Sequence, residues 1–413
     1  MNGLDVGIDQ LGVYLPRYAL PLDRLAEARG VPVEKIHVGL GAHAMAVVPP
    51  WEDAVTLGAN AAARVFRHGE VRPDEIGLLV AATETAVDHA KPIGIFLHDL
   101  LGLSPSCRTF EVKHACYGGT AGIMLAADWI RSGAARGRKA LVVATDIARY
   151  DVGSSAEFTQ GAGAAAVVVS EEPRLLRLGP TTGLFSRNVY DFWRPLERRE
   201  ALVDGKFSLD CYLDALRGAV ADYRAALNGH GGGSLLERFA AFLYHTPFPK
   251  MAYKAHRRIV EDESHGLTPA AISERFERSW TTQAEPALGL AREAGNTYTA
   301  SLYLCLAWLL EREGATLEGR DLALFSYGSG CCAEFFTVRP VPGSASRAAH
   351  IGAQALLQAR RMLTVAEYEE FARAGAGAER PAEGGAGFCH LAGIEDHKRR
   401  YERLEPLLSG RSA

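Results

Sequence analysis

Residues 76–84 read IGLLVAATE, an unbroken apolar run that delivers Thr83 and Glu84 at its end. A continuous apolar run of this length is typical of a strand that helices cover on both faces. The same arrangement recurs in four more stretches, which we also predict to be buried strands: KALVVATDIARY (139–150), AAAVVVS (164–170), FAAFLYHTPF (239–248) and DLALFSYGSG (321–330). The repeated pattern predicts an α/β fold.

Stretches with helical spacing of apolar residues separate these strands. The pattern is clearest in three stretches that each close on a glycine, a common helix terminator: EDAVTLGANAAARVFRHG (52–69), TAGIMLAADWIRSG (120–133) and NTYTASLYLCLAWLLEREG (296–314). Since ligands of such folds bind beyond the carboxyl ends of the strands, Glu84, Asp146 and His245 mark the expected site. Two glycine-rich stretches, 228–234 and 372–387, are predicted to be loops.

The bulk composition narrows the class of protein. The chain has 413 residues, 48% of them hydrophobic, which suits two domains or one fold built from two halves. With 45 basic and 49 acidic residues the net charge is -4, which argues against a nucleic-acid partner. The chain shows neither a run of 18 apolar residues nor a signal-peptide pattern, so we expect a cytoplasmic protein without a membrane span. Seven cysteines without a CxxC motif argue against a disulfide framework and against a metal site.

The stretch KHACYGGTAG (113–122) places Cys116 directly before a predicted helix. The thiolate is the reactive form of cysteine, and a helix N-terminus lowers the pKa of a nearby thiol. Gly118 and Gly119 permit the sharp turn that would expose the sulfur at a strand-to-helix junction. The residues therefore indicate an activated nucleophile, with a buried structural thiol as the alternative.

A nucleophilic cysteine needs a proton acceptor or an orienting partner. His245 and Glu84 both lie at the ends of predicted strands, so the sheet could bring them to Cys116. A satisfied core histidine and a solvated loop carboxylate are the alternatives for these two residues. Together the three side chains indicate a site that forms carbon–carbon bonds on thioesters rather than a protease site, because neither an asparagine orienter nor a peptide groove can be placed.

Longer motifs extend this pattern along nearly the whole chain. They are KIHVGLGAHAMAV (35–47), AATETAVDHAK (81–91), KHACYGGTAG (113–122), VVATDIARY (142–150), TQGAGAAAVVV (159–169), YDFWRP (190–195), ALVDGKFSLDCYLDAL (201–216), YHTPFPKMAYKAHR (244–257), GNTYTAS (295–301), SYGSG (326–330) and LAGIEDHKRRYE (391–402). In these motifs the chain resembles the 3-hydroxy-3-methylglutaryl-CoA synthases, a branch of the thiolase superfamily. The resemblance implies a homodimer and a thiolase-like five-layer αβαβα fold of two similar halves. We expect residues 1–172 to carry the nucleophilic cysteine and residues 173–413 the acceptor-binding histidine and asparagine.

The resemblance also implies a reaction and the roles of three residues. Cys116 takes the acetyl group from acetyl-CoA, and Glu84 serves as general acid/base for the acetyl-enzyme carbanion and the new alkoxide. His245 binds and polarises the ketone oxygen of the acceptor, acetoacetyl-CoA. Water then releases 3-hydroxy-3-methylglutaryl-CoA, and no metal or other cofactor is expected.

Four further residues match substrate-binding positions of the family. Asn296 in GNTYTAS and Ser329 in SYGSG would lie near the acceptor thioester, with a helix N-cap and a plain turn as their alternatives. Lys250 and Lys254, four residues apart, would share one helical face toward the phosphates of CoA. A solvated charged face is the alternative for both lysines.

The carrier of the acceptor has two possible identities at this point. Some members of the family act in polyketide pathways on acceptors bound to an acyl carrier protein, where they install a β-branch. The GG after Tyr117, the CCAEFF after SYGSG and the PFP before Lys250 favour that partner. Lys250, Lys254 and the ALVDGKFSLDCY segment (201–212) favour free CoA, which we adopt.

Two alternatives belong to other classes of protein. A non-catalytic thioester-binding scaffold is disfavoured because Cys116, Glu84 and His245 are all present. Another thiolase-type enzyme, such as a ketoacyl synthase, is disfavoured by the single Glu84 and by the GNTYTAS and LAGIEDHKRRYE segments. The roles of Asp146 and Asp191 stay open, because both could simply hold loops by hydrogen bonds.

Overall fold

The computed structural model describes residues 5–67, 70–198, 200–227, 233–378, 380–381 and 387–407. The two glycine-rich stretches predicted to be loops, 228–234 and 372–387, lie partly outside these ranges. None of the helices in the described ranges has both the length and the apolar character of a membrane span.

The strands are β1 Val6–Tyr14, β2 Tyr18–Pro21, β3 Ala44–Val47, β4 Ile76–Ala82, β5 Arg108–Val112, β6 Lys139–Ala148, β7 Gly161–Glu171, β8 Leu176–Leu178, β9 Gly183–Ser186, β10 Phe192–Trp193, β11 Leu202–Val203, β12 Ala241–Tyr244, β13 Leu322–Gly328, β14 Cys332–Pro340, β15 Arg361–Met362, β16 Cys389–Glu395 and β17 Lys398–Arg403. The helices are α1 Leu22–Ala28, α2 Val33–His37, α3 Ala54–Phe66, α4 Ile93–Leu100, α5 Gly118–Arg131, α6 Gly205–Ala226, α7 Leu235–Arg238, α8 Pro249–Asp262, α9 Pro269–Ser279, α10 Gly289–Ala294, α11 Ser301–Leu317, α12 Ser344–Ala348, α13 Ala353–Gln358 and α14 Val365–Arg373. Short 3-10 turns at Ser155–Thr159 and Tyr298–Ala300 lie beside the site described below.

One mixed sheet, of ten strands within the described ranges, forms the centre of the molecule. Its order is β12-β13-β14-β8-β1-β7-β6-β4-β5, with β9 beside β14. In a first strand group, β4, β5 and β6 are parallel, and β7 and β1 continue antiparallel. In a second strand group, β12 and β13 are parallel and β14 is antiparallel to β13. The three-residue β8 joins the two groups, since it pairs with both β1 and β14.

Side chains of the first strand group alternate between two helical layers. Leu141 and Val143 of β6 belong to the apolar cluster around α3, whereas Val142 belongs to the cluster around α5 and α11. Gly122 lets α5 approach the sheet closely, because a Cβ at this position would lie only 2.8 Å from Cγ1 of Val142. Burial on both faces explains why the strand sequences are unbroken apolar runs.

The second strand group is covered in the same way. α11 contacts β12 and β13 as well as β1 and β7, so it lies with α5 between the two groups. On the outer face α6 packs on β9, β13 and β14, where the Tyr212 ring centroid lies 5.3 Å from that of Phe325. The layers run α3, first strand group, α5 with α11, second strand group, α6, which confirms the predicted five-layer α/β fold. The division into halves at residue 172 stays a prediction.

All five predicted strands form, and the ends of β4, β12 and β13 position residues of the site. β4 ends at Ala82, so Glu84 lies just beyond it as predicted, and His245 directly follows β12. Asp146 lies near the end of β6, as predicted, and antiparallel pairing with β7 continues the strand as far as Ala148.

Candidate active site

Cys116 lies in the turn between β5 and α5. Ala115 has a φ of 41°, in the left-handed region, and α5 begins at Gly118, two residues earlier than predicted. The turn packs Cys116 against Tyr298 and leaves the cysteine 9% exposed. Its Sγ donates a hydrogen bond to Oε1 of Glu84 at 3.3 Å, so the structure brings the predicted nucleophile and the predicted acid/base into direct contact.

A cavity of about 260 Å³ opens beside the thiol. Five of the predicted site residues line it: Cys116, His245, Asn296, Ser329 and Lys254. Aromatic side chains form much of the remaining wall: Tyr150, Phe192, Tyr212, Phe248, Tyr298 and Tyr327. Glu84 lies outside this lining and reaches the site through Cys116. Lys250 also lies outside it, and its Nζ sits 3.9 Å from the ring centroid of Tyr253.

Burial raises the pKa of the Cys116 thiol well above its ordinary value, and the nearby Glu84 carboxyl raises it further. The prediction that the helix N-terminus would lower this pKa is therefore wrong for the resting protein. The wall around the sulfur removes water from it, and this loss of solvation is the largest cause of the raised pKa. The thiol is neutral at rest and needs a base before it can attack.

Burial, together with the charge of nearby Asp146, raises the pKa of Glu84 to about 8. The Arg194 guanidinium, which donates a hydrogen bond to the backbone carbonyl of Glu84, works in the opposite direction. Both the protonated and the ionised carboxyl are therefore populated near neutral pH, as acid/base exchange requires.

Asp146 connects the loop after β4 to the turn before α11. Its carboxylate accepts backbone N–H groups from Glu84 at 2.9 Å and from Thr299 at 3.1 Å. It also accepts the hydroxyls of Thr83 at 2.9 Å, Thr85 at 2.8 Å and Thr299. Burial raises the pKa of Asp146, and the donors from Thr299, Thr85 and Glu84 oppose that shift. The five hydrogen bonds make Asp146 a residue that positions Glu84.

Burial lowers the pKa of His245 to about 3, so its imidazole is neutral. Ser301 Oγ lies 2.7 Å from Nδ1 of this histidine and also accepts the backbone N–H of Thr246 at 3.3 Å. The Ser301 hydroxyl can donate to Nδ1, and in that tautomer the imidazole proton resides on Nε2. A neutral Nε2–H is a donor suited to the carbonyl oxygen of a ligand in the cavity.

Asn296 is held by a local turn. Its Oδ1 accepts the backbone N–H of Tyr298 at 3.0 Å. α11 begins only at Ser301, so Asn296 is not the N-cap of that helix. The side chain instead lines the cavity beside Cys116, where its amide is within the same wall as the thiol.

Asp191 fixes the turn that carries Ser329. This buried carboxylate accepts the hydroxyl of Tyr327 at 2.6 Å and the backbone N–H of Gly330 at 2.9 Å. The YDFWRP motif therefore does more than pack aromatic rings, because its aspartate ties the loop before β10 to the end of β13. Ser329 thereby reaches the cavity from the second strand group.

Two family sequence models account for most of the chain. The N-terminal model of hydroxymethylglutaryl-coenzyme A synthase matches residues 2–173, and the C-terminal model matches residues 180–274 and 268–376. The chain belongs to the hydroxymethylglutaryl-CoA synthase family. Members of this family transfer acyl groups and form carbon–carbon bonds, so the chain is an enzyme of that class and has the thiolase-like fold.

Individual relatives include enzymes named for both carriers. The hydroxymethylglutaryl-CoA synthase of Enterococcus faecalis is 37% identical over 366 residues, which cover 89% of this chain and 91% of that protein. The polyketide biosynthesis 3-hydroxy-3-methylglutaryl-ACP synthase PksG of Bacillus subtilis is 33% identical over 378 residues, covering 89% and 87%. The solved structure of MvaS in complex with 3-hydroxy-3-methylglutaryl coenzyme A has a TM-score of 0.91 and 43% identity, and the match covers 97% of this chain and 99% of that one.

The tyrosines that line the cavity of this hydroxymethylglutaryl-CoA synthase family member were not identified from the sequence. Tyr298 donates its hydroxyl to the hydroxyl oxygen of Tyr150 at 3.3 Å, and Tyr212 donates to the backbone carbonyl of His245 at 2.8 Å. Tyr150 ends the VVATDIARY motif and Tyr298 lies within GNTYTAS, so membership of a motif was a usable signal for both. The place of Tyr212 depends on how α6 packs on the second strand group, which no local pattern reveals.

Proposed function

We propose that this protein is a hydroxymethylglutaryl-CoA synthase that condenses acetyl-CoA with acetoacetyl-CoA. The observation that carries the proposal is the 3.3 Å contact between Cys116 Sγ and Glu84 Oε1, beside a cavity that also contains a neutral His245. A buried thiol, a carboxyl with a pKa near neutrality and a carbonyl-binding donor are the three groups that the reaction needs.

The first step acylates the enzyme. The ionised fraction of Glu84 takes the proton of the Cys116 thiol, and the thiolate attacks the carbonyl carbon of acetyl-CoA. The bond between that carbon and the sulfur of CoA breaks, and the departing CoA thiolate takes up the proton. Failure of acetyl-CoA to label Cys116 would instead favour the non-catalytic scaffold.

The second step forms the carbon–carbon bond. The Glu84 carboxylate removes a proton from the methyl group of the acetyl-enzyme, which the thioester has made acidic. The carbanion attacks the ketone carbon of acetoacetyl-CoA while Nε2–H of His245 binds the ketone oxygen. Protonated Glu84 then returns its proton to the new alkoxide.

The third step releases the product. Water attacks the carbonyl carbon of the thioester to Cys116, the carbon–sulfur bond breaks, and the thiol regains its proton. The free product is 3-hydroxy-3-methylglutaryl-CoA. We propose that no metal or other cofactor takes part, since the thioester supplies the acidity of the methyl group and Glu84 moves the protons.

The wall of the cavity supports CoA as the carrier. Lys254 lines it directly, so its ammonium group can meet the phosphates of a CoA thioester. The carrier-protein alternative is supported by PksG, which is 33% identical to this chain. Both carriers present the same phosphopantetheine arm, so the residues around Cys116 are compatible with either.

A competition experiment separates the two carriers. The enzyme receives acetyl-CoA with equal concentrations of acetoacetyl-CoA and acetoacetyl-carrier protein, and mass spectrometry follows both products. Preferential formation of 3-hydroxy-3-methylglutaryl-CoA is the expected result, and Lys254→Glu should remove that preference by weakening CoA use. Preferential formation of the carrier-protein product would overturn the choice of CoA.

The proposal also includes a homodimer, as expected from the family resemblance. β5 lies at one edge of the sheet within the described ranges, so its outer backbone groups can pair with a second copy. Light scattering coupled to size-exclusion chromatography is expected to give twice the 44.5 kDa mass of the chain. A monomer mass at micromolar concentration would contradict it.

A further inference from the structure

A second cavity lies against the wall of the first. Its volume is about 470 Å³, within the range of small-molecule sites. It is bordered by β3, by the end of β6 and by α14, and its lining contains none of Glu84, Cys116 and His245. Tyr150 lines both cavities, so a molecule in the second cavity would touch a residue of the acylation site.

Glu52 is a wall residue of this second cavity with unused hydrogen-bonding capacity. The residue is only 9% exposed. Its Oε1 accepts the hydroxyl of Tyr14 at 2.9 Å, whereas its Oε2 has no hydrogen-bond partner in the part of the chain that the structure describes. A buried acceptor without a partner costs free energy, and a ligand that donates a hydrogen bond would recover that cost.

Other polar groups in the wall are already engaged. Gln160 accepts the backbone N–H of Tyr150 at 2.8 Å and donates to the hydroxyl of Tyr368 at 2.7 Å. Arg399 donates to Oδ2 of Asp53 at 3.0 Å, which neutralises its charge within the protein. The unused hydrogen-bonding capacity therefore belongs to an acceptor, Oε2 of Glu52, and a matching ligand group is a hydrogen-bond donor.

The charge around the cavity favours a cationic donor. Asp151 and Glu200 add two carboxylates to the wall, so with Glu52 the carboxyl groups of its described residues outnumber the guanidinium groups of Arg149 and Arg399 by three to two. The ion pair of Asp151 with Arg198, at 3.7 Å, is exposed and screened by water. Burial raises the pKa of Glu52 to about 7, so its carboxyl can ionise at neutral pH when a cation arrives.

We propose that the second cavity is a binding site for a small molecule with a primary ammonium group, which Glu52 holds. Nothing in the acylation and condensation steps uses this site. The apolar part of the ligand would lie on Val47, Ile147 and Phe371, which line the same cavity. Because Tyr150 lines both cavities, the ligand would contact a residue that also borders the site of acetylation.

The test uses 1,4-diaminobutane as the cationic probe and 1,4-butanediol as its neutral counterpart of matched length. Saturation-transfer NMR on the full chain measures binding, which is independent of whether the proposed reaction is correct. The diamine is expected to receive saturation and the diol is not. Glu52→Gln is expected to weaken diamine binding about tenfold or more, whereas Glu171→Gln, at an exposed carboxylate, leaves it unchanged.

A second pair of variants keeps Glu52 and blocks the cavity, in case Glu52→Gln does not fold. Ala372→Trp places a large ring at an exposed wall position on α14, and Arg373→Trp places the same ring at the adjacent exposed position outside the lining. Loss of diamine binding in the first variant but not in the second supports the site. No saturation of the diamine by the wild type, equal binding of diamine and diol, or unchanged diamine binding in Glu52→Gln or Ala372→Trp overturns the proposal.

Discussion

The Sγ of Cys116 lies 3.3 Å from Oε1 of Glu84, and burial raises the pKa of both groups. The transfer of a proton from the thiol to the carboxylate leaves the net charge of the pair unchanged. The surroundings of low polarity disfavour both the thiolate and the carboxylate. They do not disfavour the proton transfer, because the pair carries one negative charge before and after it. This relationship explains how a thiol with a raised pKa can still serve as the attacking group.

The rate of enzyme acetylation should rise with pH through about 8. Only the ionised Glu84 accepts the thiol proton, and its pKa of about 8 means that this form gains as the pH increases toward that value. Single-turnover acetylation with acetyl-CoA between about pH 6 and pH 9 measures the effect. Glu84→Gln should remove this rise, and a flat profile in the wild type would contradict the assignment.

Glu84→Ala should separate the two chemical steps. We expect the variant to accept the acetyl group slowly, because acetyl-CoA still reaches Cys116, and to form no condensed product. The loss in condensation should be on the order of a thousandfold or more, since the carboxyl both removes and returns a proton. Intact-protein mass spectrometry follows acetylation and product analysis follows condensation; normal turnover would exclude Glu84 from the mechanism.

Cys116→Ser should abolish acetylation. A serine hydroxyl is far less acidic than a thiol, and Glu84 with a pKa of about 8 is too weak a base to activate it. Cys107→Ser, at another buried thiol, is the matched control and should acetylate normally. Survival of acetyl transfer in the Cys116 variant would disprove the nucleophile assignment.

His245→Ala should chiefly impair use of the acceptor. The loss of the Nε2–H donor should raise the KM for acetoacetyl-CoA about tenfold or more and leave acetylation of Cys116 nearly unchanged. Ser301→Ala should have a smaller effect of the same kind, because the imidazole proton is then no longer confined to Nε2. Unchanged acceptor kinetics in both variants would contradict the role of the histidine.

Asp146→Asn should lower the free energy of unfolding by about 3 kcal/mol. The amide nitrogen of asparagine would face donors where the carboxylate now accepts five hydrogen bonds, so at least one donor is left unpaired in a buried position. Urea unfolding measures the change. Asp128→Asn, on the exposed side of α5, is the control and should unfold like the wild type.

Much of the fold was predictable because its strands are covered on both faces. The alternation of Leu141 and Val142 between two helical layers makes a strand apolar at every position, and this gives a clear signal in the sequence. The exact end of β6, at Ala148, was not predictable, because the length of this strand depends on its pairing with β7 rather than on its own residues.

The positions of the site residues were predictable from the motifs that contain them. The pKa of the nucleophile was not, because it depends on how much water reaches the sulfur. Cys116, His245 and Asn296 lie in one cavity as their motifs implied, whereas the pKa of Cys116 moves in the opposite direction from the prediction. The helix-end argument uses only the neighbouring sequence, while the loss of water around the sulfur depends on rings such as Tyr298 that fold in from elsewhere.

The pairing of β8 with both strand groups has a consequence for how the protein unfolds. Leu176 pairs with Ile8 on one side and with Pro340 on the other, so the backbone ladder runs without interruption from β12 to β5. Cys116 precedes this seam in the chain and His245 follows it. Neither strand group can unfold without breaking the backbone hydrogen bonds of β8, so the enzyme should unfold in a single cooperative transition. Two fragments that each contain one strand group should be inactive when expressed separately and active only after they are reassembled.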